Sequence, residues 1–207
     1  MGIPLIYKQL TDEYPELILN LLNTLSNTYK KINAYLDFNG IIHQCCQKVL
    51  KQLSEKNIKL PKQKIEDLFK QEIIKYTKKL CYLLESNNIK LNTLMISIDG
   101  IAPQAKMVQQ RSRRFRSIVY KNEVRKIDTR FKKLPNKNTW DSNAITPGTE
   151  FMNDLSIYLQ GVLKTDVYFK TIPTRILSDT SVPGEGEHKI LQYLRNTDKQ
   201  EEDKTDE

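Results

Sequence analysis

Asn33-Ala34-Tyr35-Leu36-Asp37-Phe38-Asn39-Gly40 and Leu94-Met95-Ile96-Ser97-Ile98-Asp99-Gly100 are the two stretches whose reading decides the fold. Each is a short apolar run that ends in an aspartate close to a glycine, the pattern of a strand closing in a turn. Between them the apolar spacing changes to that of helices. One helix is expected over 41–53. A second opens at Pro61 with Ile65, Phe69, Ile73, Tyr76, Leu80 and Leu83 three or four residues apart, ending near Asn87-Asn88. Pro103 opens a third, strongly basic helix to about 127, and residues 132–146 read as loop. Thr146-Pro147 then predicts an N-cap with proline at the first helical position, with Phe151, Leu155, Tyr158, Leu159 and Val162 on one face. Val167-Tyr168-Phe169 and Arg175-Ile176-Leu177 read as further short strands. Pro183-Gly184 precedes a last helix through about Arg195. Strand, helix, strand, helix is an α/β alternation, and crossover helices imply a parallel sheet.

Length and composition bound the rest. The 207 residues suit a single domain, expected over 1–196, followed by an acidic disordered tail over 197–207. Such a chain buries roughly 70% of its unfolded surface, enough for a core without disulfides or metals. Cys45, Cys46 and Cys81 are an odd count with two adjacent, which is no disulfide framework and points to a reducing, intracellular compartment. His43-x-Cys45-Cys46 matches no common zinc spacing, so buried thiols are the expectation. No apolar run approaches the ~18 residues of a membrane span, and no signal-peptide core opens the chain.

Charge is concentrated. The chain has 33 Lys and Arg against 25 Asp and Glu, a formal charge of +8. Residues 104–133 alone hold eleven basic side chains against Glu123 and Asp128, so this one segment carries the whole surplus. That concentration favours a polyanionic partner. Within it, Lys106, Gln110, Arg113 and Arg114 fall at i, i+4, i+7 and i+8, one face of a helix, and no acid occurs from 104 to 122. The planar forks of Arg and Gln suit phosphate oxygens better than a surface of alternating ion pairs would.

Four acids are the candidates for chemistry. In open parallel sheets a ligand crevice lies outside the carboxyl ends of the strands. Asp37 and Asp99 point into it if their strands are neighbours; either one alone would more simply make a turn. Glu185 and Glu187 stand in Pro183-Gly184-Glu185-Gly186-Glu187-His188-Lys189. Capping a helix is the simple account of those two. However, the interleaved glycines start a helix poorly and allow close backbone approach. Residues i and i+2 lie about 200° apart on a helix, so both glutamates face one centre only if this turn is not yet helical. Four clustered carboxylates repel one another unless divalent ions sit between them, and hard oxygen ligands select Mg²⁺ or Mn²⁺.

MGIP, YLDFNGIIHQC, SIDGIAPQAKMVQQRSRRFRS, DSNAITPGTEFM and VPGEGEHKI occur here in that order, from residue 1 to about 195. In this series the chain resembles the XRN-type 5′→3′ exoribonucleases. The resemblance implies a PIN/FEN-like α/β nuclease core with flanking helices. It also implies divalent-metal hydrolysis of single-stranded RNA from a 5′-monophosphate end. Position by position it implies that Asp37, Asp99, Glu185 and Glu187 bind metal. Lys106, Gln110, Arg113 and Arg114 would then grip the 5′-phosphate, and His43 would stack near the terminal bases.

The family continues beyond its PGEGEH block into a strand with an Asp-x-Asp pair, which has no counterpart in this acidic tail. The core is therefore expected to be incomplete at its C-terminus, with a second polypeptide as one means of completing it. Two other readings stay open: a 5′-phosphate RNA-binding fragment that does not cut, and a FEN-like nuclease acting on flapped DNA. Cytoplasm and nucleus are equally compatible with these residues.

Overall fold

The computed structural model describes residues 6–15, 30–85, 89–130 and 140–202. At its centre a parallel sheet takes β1 (Lys31–Asp37), β2 (Lys90–Ser97) and β3 (Thr174–Ser178) in the order β1-β2-β3. Asp37 pairs with Ser97, and Ser97 with Ser178, so all three strands end together at one edge of the crevice. The ladder continues one step further, with Phe38 N–H donating to Ser97 O at 2.8 Å and Ile98 N–H to Ser178 O at 2.9 Å. The α/β parallel fold read from the alternation is the fold observed.

A short helix α1 (Ile6–Glu13) precedes the sheet, and helices cover both of its faces. Helix α2 (Asn39–Glu55) buries Ile42, Cys45, Cys46, Val49 and Leu53, a single stripe at helical spacing. Helix α3 (Lys62–Leu84) packs against it and buries Ile65, Phe69, Ile73, Thr77 and Cys81. The expected stripe through Tyr76, Leu80 and Leu83 is displaced at this end, and Leu83 is exposed. Thr77 can replace an apolar residue because its hydroxyl donates to Ile73 O at 2.8 Å, leaving no polar atom unsatisfied. Leu94 and Ile96 of the central strand, with Ile98 just after it, meet this layer and are all but inaccessible to solvent.

Burial pushes the thiols of Cys45 and Cys81 up to about 11 and that of Cys46 to about 12, which makes them inert core groups. They are buried core thiols, as expected.

Helix α4 (Gln104–Arg130) is the expected basic helix, ending three residues later than read. A 3₁₀ turn at Ser142–Ala144 leads to α5 (Glu150–Thr165). That helix starts at Thr149 and not at Thr146-Pro147. Gly148 takes φ +86°, a left-handed turn, and the Thr149 hydroxyl then accepts from Met152 N–H. Trp140 fixes this region to α3: its indole N–H donates to the buried Glu66 carboxylate at 3.0 Å, and its ring meets Phe69 edge-on at 4.8 Å.

Val167-Tyr168-Phe169 is not a strand. Asp166 accepts from the N–H groups of Tyr168 and Phe169, and that cap winds the segment into one turn, α6 (Val167–Lys170). Side-chain capping thus overrides the strand propensity of three β-prone residues.

The last helix, α7 (Gly186–Glu202), lies on β1 and β2. It runs past the expected end near Arg195 to Glu202. Residues 203–207 lie outside the described residues, as do parts of the expected loop over 132–146 and the MGIP block.

Candidate active site

The crevice at the carboxyl ends of β1 and β2 is held together mainly by backbone. Gly100 N–H donates to Gly184 O at 2.8 Å, and Gly184 N–H donates to Ile101 O at 3.0 Å. These two bonds clamp the 183–186 turn to the segment after β2. Gly184 takes φ +108°, which an L side chain rarely adopts. A Cβ at Gly100 would lie 1.9 Å from Val182 O, so only glycine fits there.

Within that clamp Asp37 and Asp99 approach the turn that carries the two glutamates. Asp99 accepts from Gly186 N–H at 2.7 Å through Oδ1, while its own N–H donates to Asn39 Oδ1 at 3.3 Å. A Cβ at Gly186 would fall 2.6 Å from Asp37 Oδ1, so the glycine backbone lies directly against that carboxylate. Ser97, paired with Asp37 across the sheet, donates through Oγ to Gly186 O at 2.9 Å. Asp37 and Asp99 therefore both stand beside Gly186, between Glu185 and Glu187.

The electrostatics agree with that placement. The Asp37 carboxyl is held above its ordinary range, first by desolvation and then by the Asp99 charge. Glu187 and Glu185 push the same way, against a hydrogen bond from Asn39 N–H. The repulsion expected among clustered acids is felt at Asp37.

A cation enters beside them. Lys106 donates to Glu185 Oε2 at 3.0 Å, an ion pair that places the start of the basic helix beside the acids. Side-chain oxygens of Glu185 and Glu187 lie within 4.8 Å of each other and of a His188 ring nitrogen, a group that could hold a metal ion. Helix α7 begins only at Gly186, so Glu185 precedes it. Glu187 lies within its first turn, so the two glutamates converge with only Glu185 outside the helix, and the fully non-helical turn expected above is not what brings them together.

On α4, Lys106, Gln110 and Arg113 line one cavity of about 610 Å³ together with Gln109, Ser112 and Arg116. Arg114 is half-buried on the same helix and is not one of this cavity's lining residues. A helical wheel alone groups Arg114 with the other three; the cavity instead opens toward Gln109, Ser112 and Arg116. His43 lies on α2 where both sets are felt: partial desolvation and then the Arg113 charge lower its pKa, while Asp99 raises it.

Among the described residues, four participants escaped the sequence reading: Ser97, Asn39, His188 and Lys189. Ser97 and Asn39 act through hydrogen bonds that only the strand register and the turn after β1 create. Lys189 was visible only as part of the VPGEGEHKI block.

A family model described as XRN 5′-3′ exonuclease N-terminus matches residues 1–207. The chain is 36% identical over 228 residues to a protein of Candida glabrata named 5′-3′ exoribonuclease 2, covering 95% of this chain and 21% of that one. Proteins of the same name from Debaryomyces hansenii and Saccharomyces cerevisiae are 34% identical over 227 residues and 35% over 228, with the same coverage. The chain thus spans about a fifth of the length of these relatives. No helix among the described residues is long and apolar enough to cross a membrane. Matched along all its residues by that model, the chain belongs to the XRN 5′-3′ exonuclease N-terminus family.

Proposed function

We propose that this chain supplies the acidic and phosphate-reading part of a divalent-metal-dependent 5′→3′ exoribonuclease acting on single-stranded RNA with a 5′-monophosphate. The observation that carries the reading is the Lys106–Glu185 contact, which brings the basic cavity of α4 against the carboxylates. Asp37, Asp99, Glu185 and Glu187 would hold Mg²⁺ or Mn²⁺, a fit supported by their hard oxygen donors and by the unbalanced charge felt at Asp37. When bound, such ions activate water and stabilise the leaving oxygen of an in-line displacement.

The chain's own residues do the positioning. Lys106, Gln110 and Arg113 receive the terminal phosphate in the cavity, with Arg114 supporting them from the half-buried side of the helix. His43, between Arg113 and Asp99, stacks on the first bases. Fixing the terminal phosphate sets the next phosphodiester at the acids, which turns encounter into an effectively unimolecular step. Further carboxylates completing a second metal site would come from polypeptide outside these residues, including a second chain. The three buried thiols support an intracellular location.

The test uses 3′-labelled single-stranded RNA bearing either 5′-monophosphate or 5′-hydroxyl, with Mn²⁺ or Mg²⁺, beside a Glu185→Ala/Glu187→Ala variant. The expected result is shortening of the monophosphate substrate alone, absent in the variant. Preference for the monophosphate end without shortening would reduce the reading to a phosphate-binding part of the enzyme. Neither shortening nor end preference would overturn it, and cleavage of flapped DNA instead would favour the FEN-like alternative.

A further inference from the structure

We propose that Lys189 is a positioning residue whose buried ammonium fixes the turn after β3 and, through it, the backbone carrying Glu185, Gly186 and Glu187. Lys189 lies in the first turn of α7 and is only 6% exposed. Burying an ammonium is costly unless its three donors are met. Here they are met by main-chain carbonyls: Ser178 O at 3.3 Å, Asp179 O at 2.8 Å and Val182 O at 3.2 Å. No carboxylate is among these hydrogen-bond partners, although Asp179 and Asp99 lie close enough to favour the charge.

The carbonyls it gathers are those that matter to the site. Val182 O is the atom a Cβ at Gly100 would strike, so this carbonyl sits between Gly100 and the Lys189 ammonium. A Cβ on Gly184 would lie 3.6 Å from Lys189 Cγ, so the stem runs along the turn glycine itself. Asp179 adds a local turn of its own, accepting from Ser181 N–H at 2.9 Å. Lys189 therefore ties the end of β3 to the first turn of the helix that carries Glu187. The same turn is held to Gly100 and Ile101 from its other side. Partners that orient metal ligands from behind typically change metal affinity 10–100-fold when removed.

This inference rests on the reading of Glu185 and Glu187 as metal ligands, and its test separates the two. The full 207-residue chain would be compared with Lys189→Met and Lys189→Arg, first by amide hydrogen exchange without metal and then by Mn²⁺ titration. Lys189→Met is expected to lower protection at the Gly100, Gly184 and Gly186 amides about tenfold while α2 and α3 stay near wild type. Its Mn²⁺ affinity is expected to fall about tenfold. Lys189→Arg, which keeps charge and donors, is expected to recover part of both. Simple charge removal predicts the opposite sign for Mn²⁺, because deleting a cation near carboxylates favours a divalent ion. Unchanged protection at the three glycines, or a uniform loss across the fold, would overturn the proposal. If wild type takes no Mn²⁺, the metal reading fails while exchange still decides the role of Lys189. Should Lys189→Met not fold, Lys189→Gln carries the same measurements.

Discussion

Gly100 and Gly186 both lie in the crevice, yet alanine at each should fail in a different way. At Gly100 the added Cβ would sit 1.9 Å from Val182 O and 2.8 Å from its carbonyl carbon, main-chain atoms held by Lys189. Relief requires the backbone to part, which threatens the Gly100–Gly184 and Gly184–Ile101 hydrogen bonds. Two such bonds at about 0.5–1.5 kcal/mol each, with overpacking at about 1–3 kcal/mol, give a loss of roughly 2–6 kcal/mol. For a domain of this size about 1 kcal/mol corresponds to roughly 2–4 °C, so Gly100→Ala should lower Tm on the order of 10 °C. At Gly186 the nearest atom is Asp37 Oδ1 at 2.6 Å, the movable end of a side chain, and Ser97 O follows at 3.1 Å. The alanine also gains up to about 1 kcal/mol of helix propensity at the start of α7. Gly186→Ala should therefore keep Tm within a few degrees while displacing the Asp37 carboxylate and weakening Mn²⁺ binding about tenfold or more. Paired thermal denaturation and Mn²⁺ titration read both quantities. Wild-type Mn²⁺ affinity in a folded Gly186→Ala chain that binds the ion, or an unshifted Tm in Gly100→Ala, would refute this account of the crevice.

Asp37→Asn should raise Tm in metal-free buffer at neutral pH. Its folded pKa lies above the ordinary value, so ionisation is penalised as pH rises through that window, and the gain should shrink as pH falls toward 3.8, as thermal denaturation against pH would show. His43 titrates in the folded state below its ordinary 6.5, so the stability it contributes is present above that value and lost as pH falls through it; His43→Asn should flatten the Tm profile between about pH 7 and 5. Thr149→Ala removes the cap of α5 and should lower stability by about 1 kcal/mol in urea titration, with RNA binding unaffected. Arg113→Gln should weaken binding of 5′-phosphorylated RNA and reduce the salt slope of log K by roughly 0.7, while Arg125→Gln, far along the same helix, leaves the preference for the phosphorylated end intact.

Legibility in the sequence followed the range of the interactions involved. Asp37 and Asp99 could be placed because a parallel sheet brings strand ends to one edge whatever the loops do, and β1 and β2 proved to be neighbours. Phe151, Leu155 and Leu159, read as one face of a helix, are indeed buried on α5, because apolar periodicity is local. The capping errors were local too, but they turned on single side chains. Asp166 bent three β-prone residues into a helical turn, and Gly148 moved the start of α5 to Thr149. Arg114 shows the limit of a helical wheel, which assigns a face but not the neighbour that closes it. Ser97, Asn39 and Lys189 act through hydrogen bonds between segments distant in sequence, and no pattern of residue types announces those.

The crevice works against the stability of the domain that holds it. Asp37, Asp99, Glu185 and Glu187 crowd one end of the sheet, and among the described residues Lys106 pairs with one of the four. Each ionised carboxylate beside another raises the free energy of the folded chain. A fold can tolerate this only if its elements are fixed by contacts remote from the charges. Those contacts are visible: Phe69, Ile73, Leu94, Ile96 and Leu155 have almost no exposure and lie in the layer shared by α2, α3, α5 and the sheet. Next to the acids, the holding groups are mostly backbone, from Gly100, Gly184, Gly186 and the carbonyls gathered by Lys189. Backbone bonds neutralise no charge, so they can hold the carboxylates in place and still leave them short of positive partners. An acidic set positioned in that way would be stabilised by a cation that enters it, and on the proposed metal reading binding and folding form one linked equilibrium. Raising Mn²⁺ should therefore raise Tm in the wild type and much less in Glu185→Ala/Glu187→Ala, and equal shifts in the two would mean that the ion acts elsewhere on the chain.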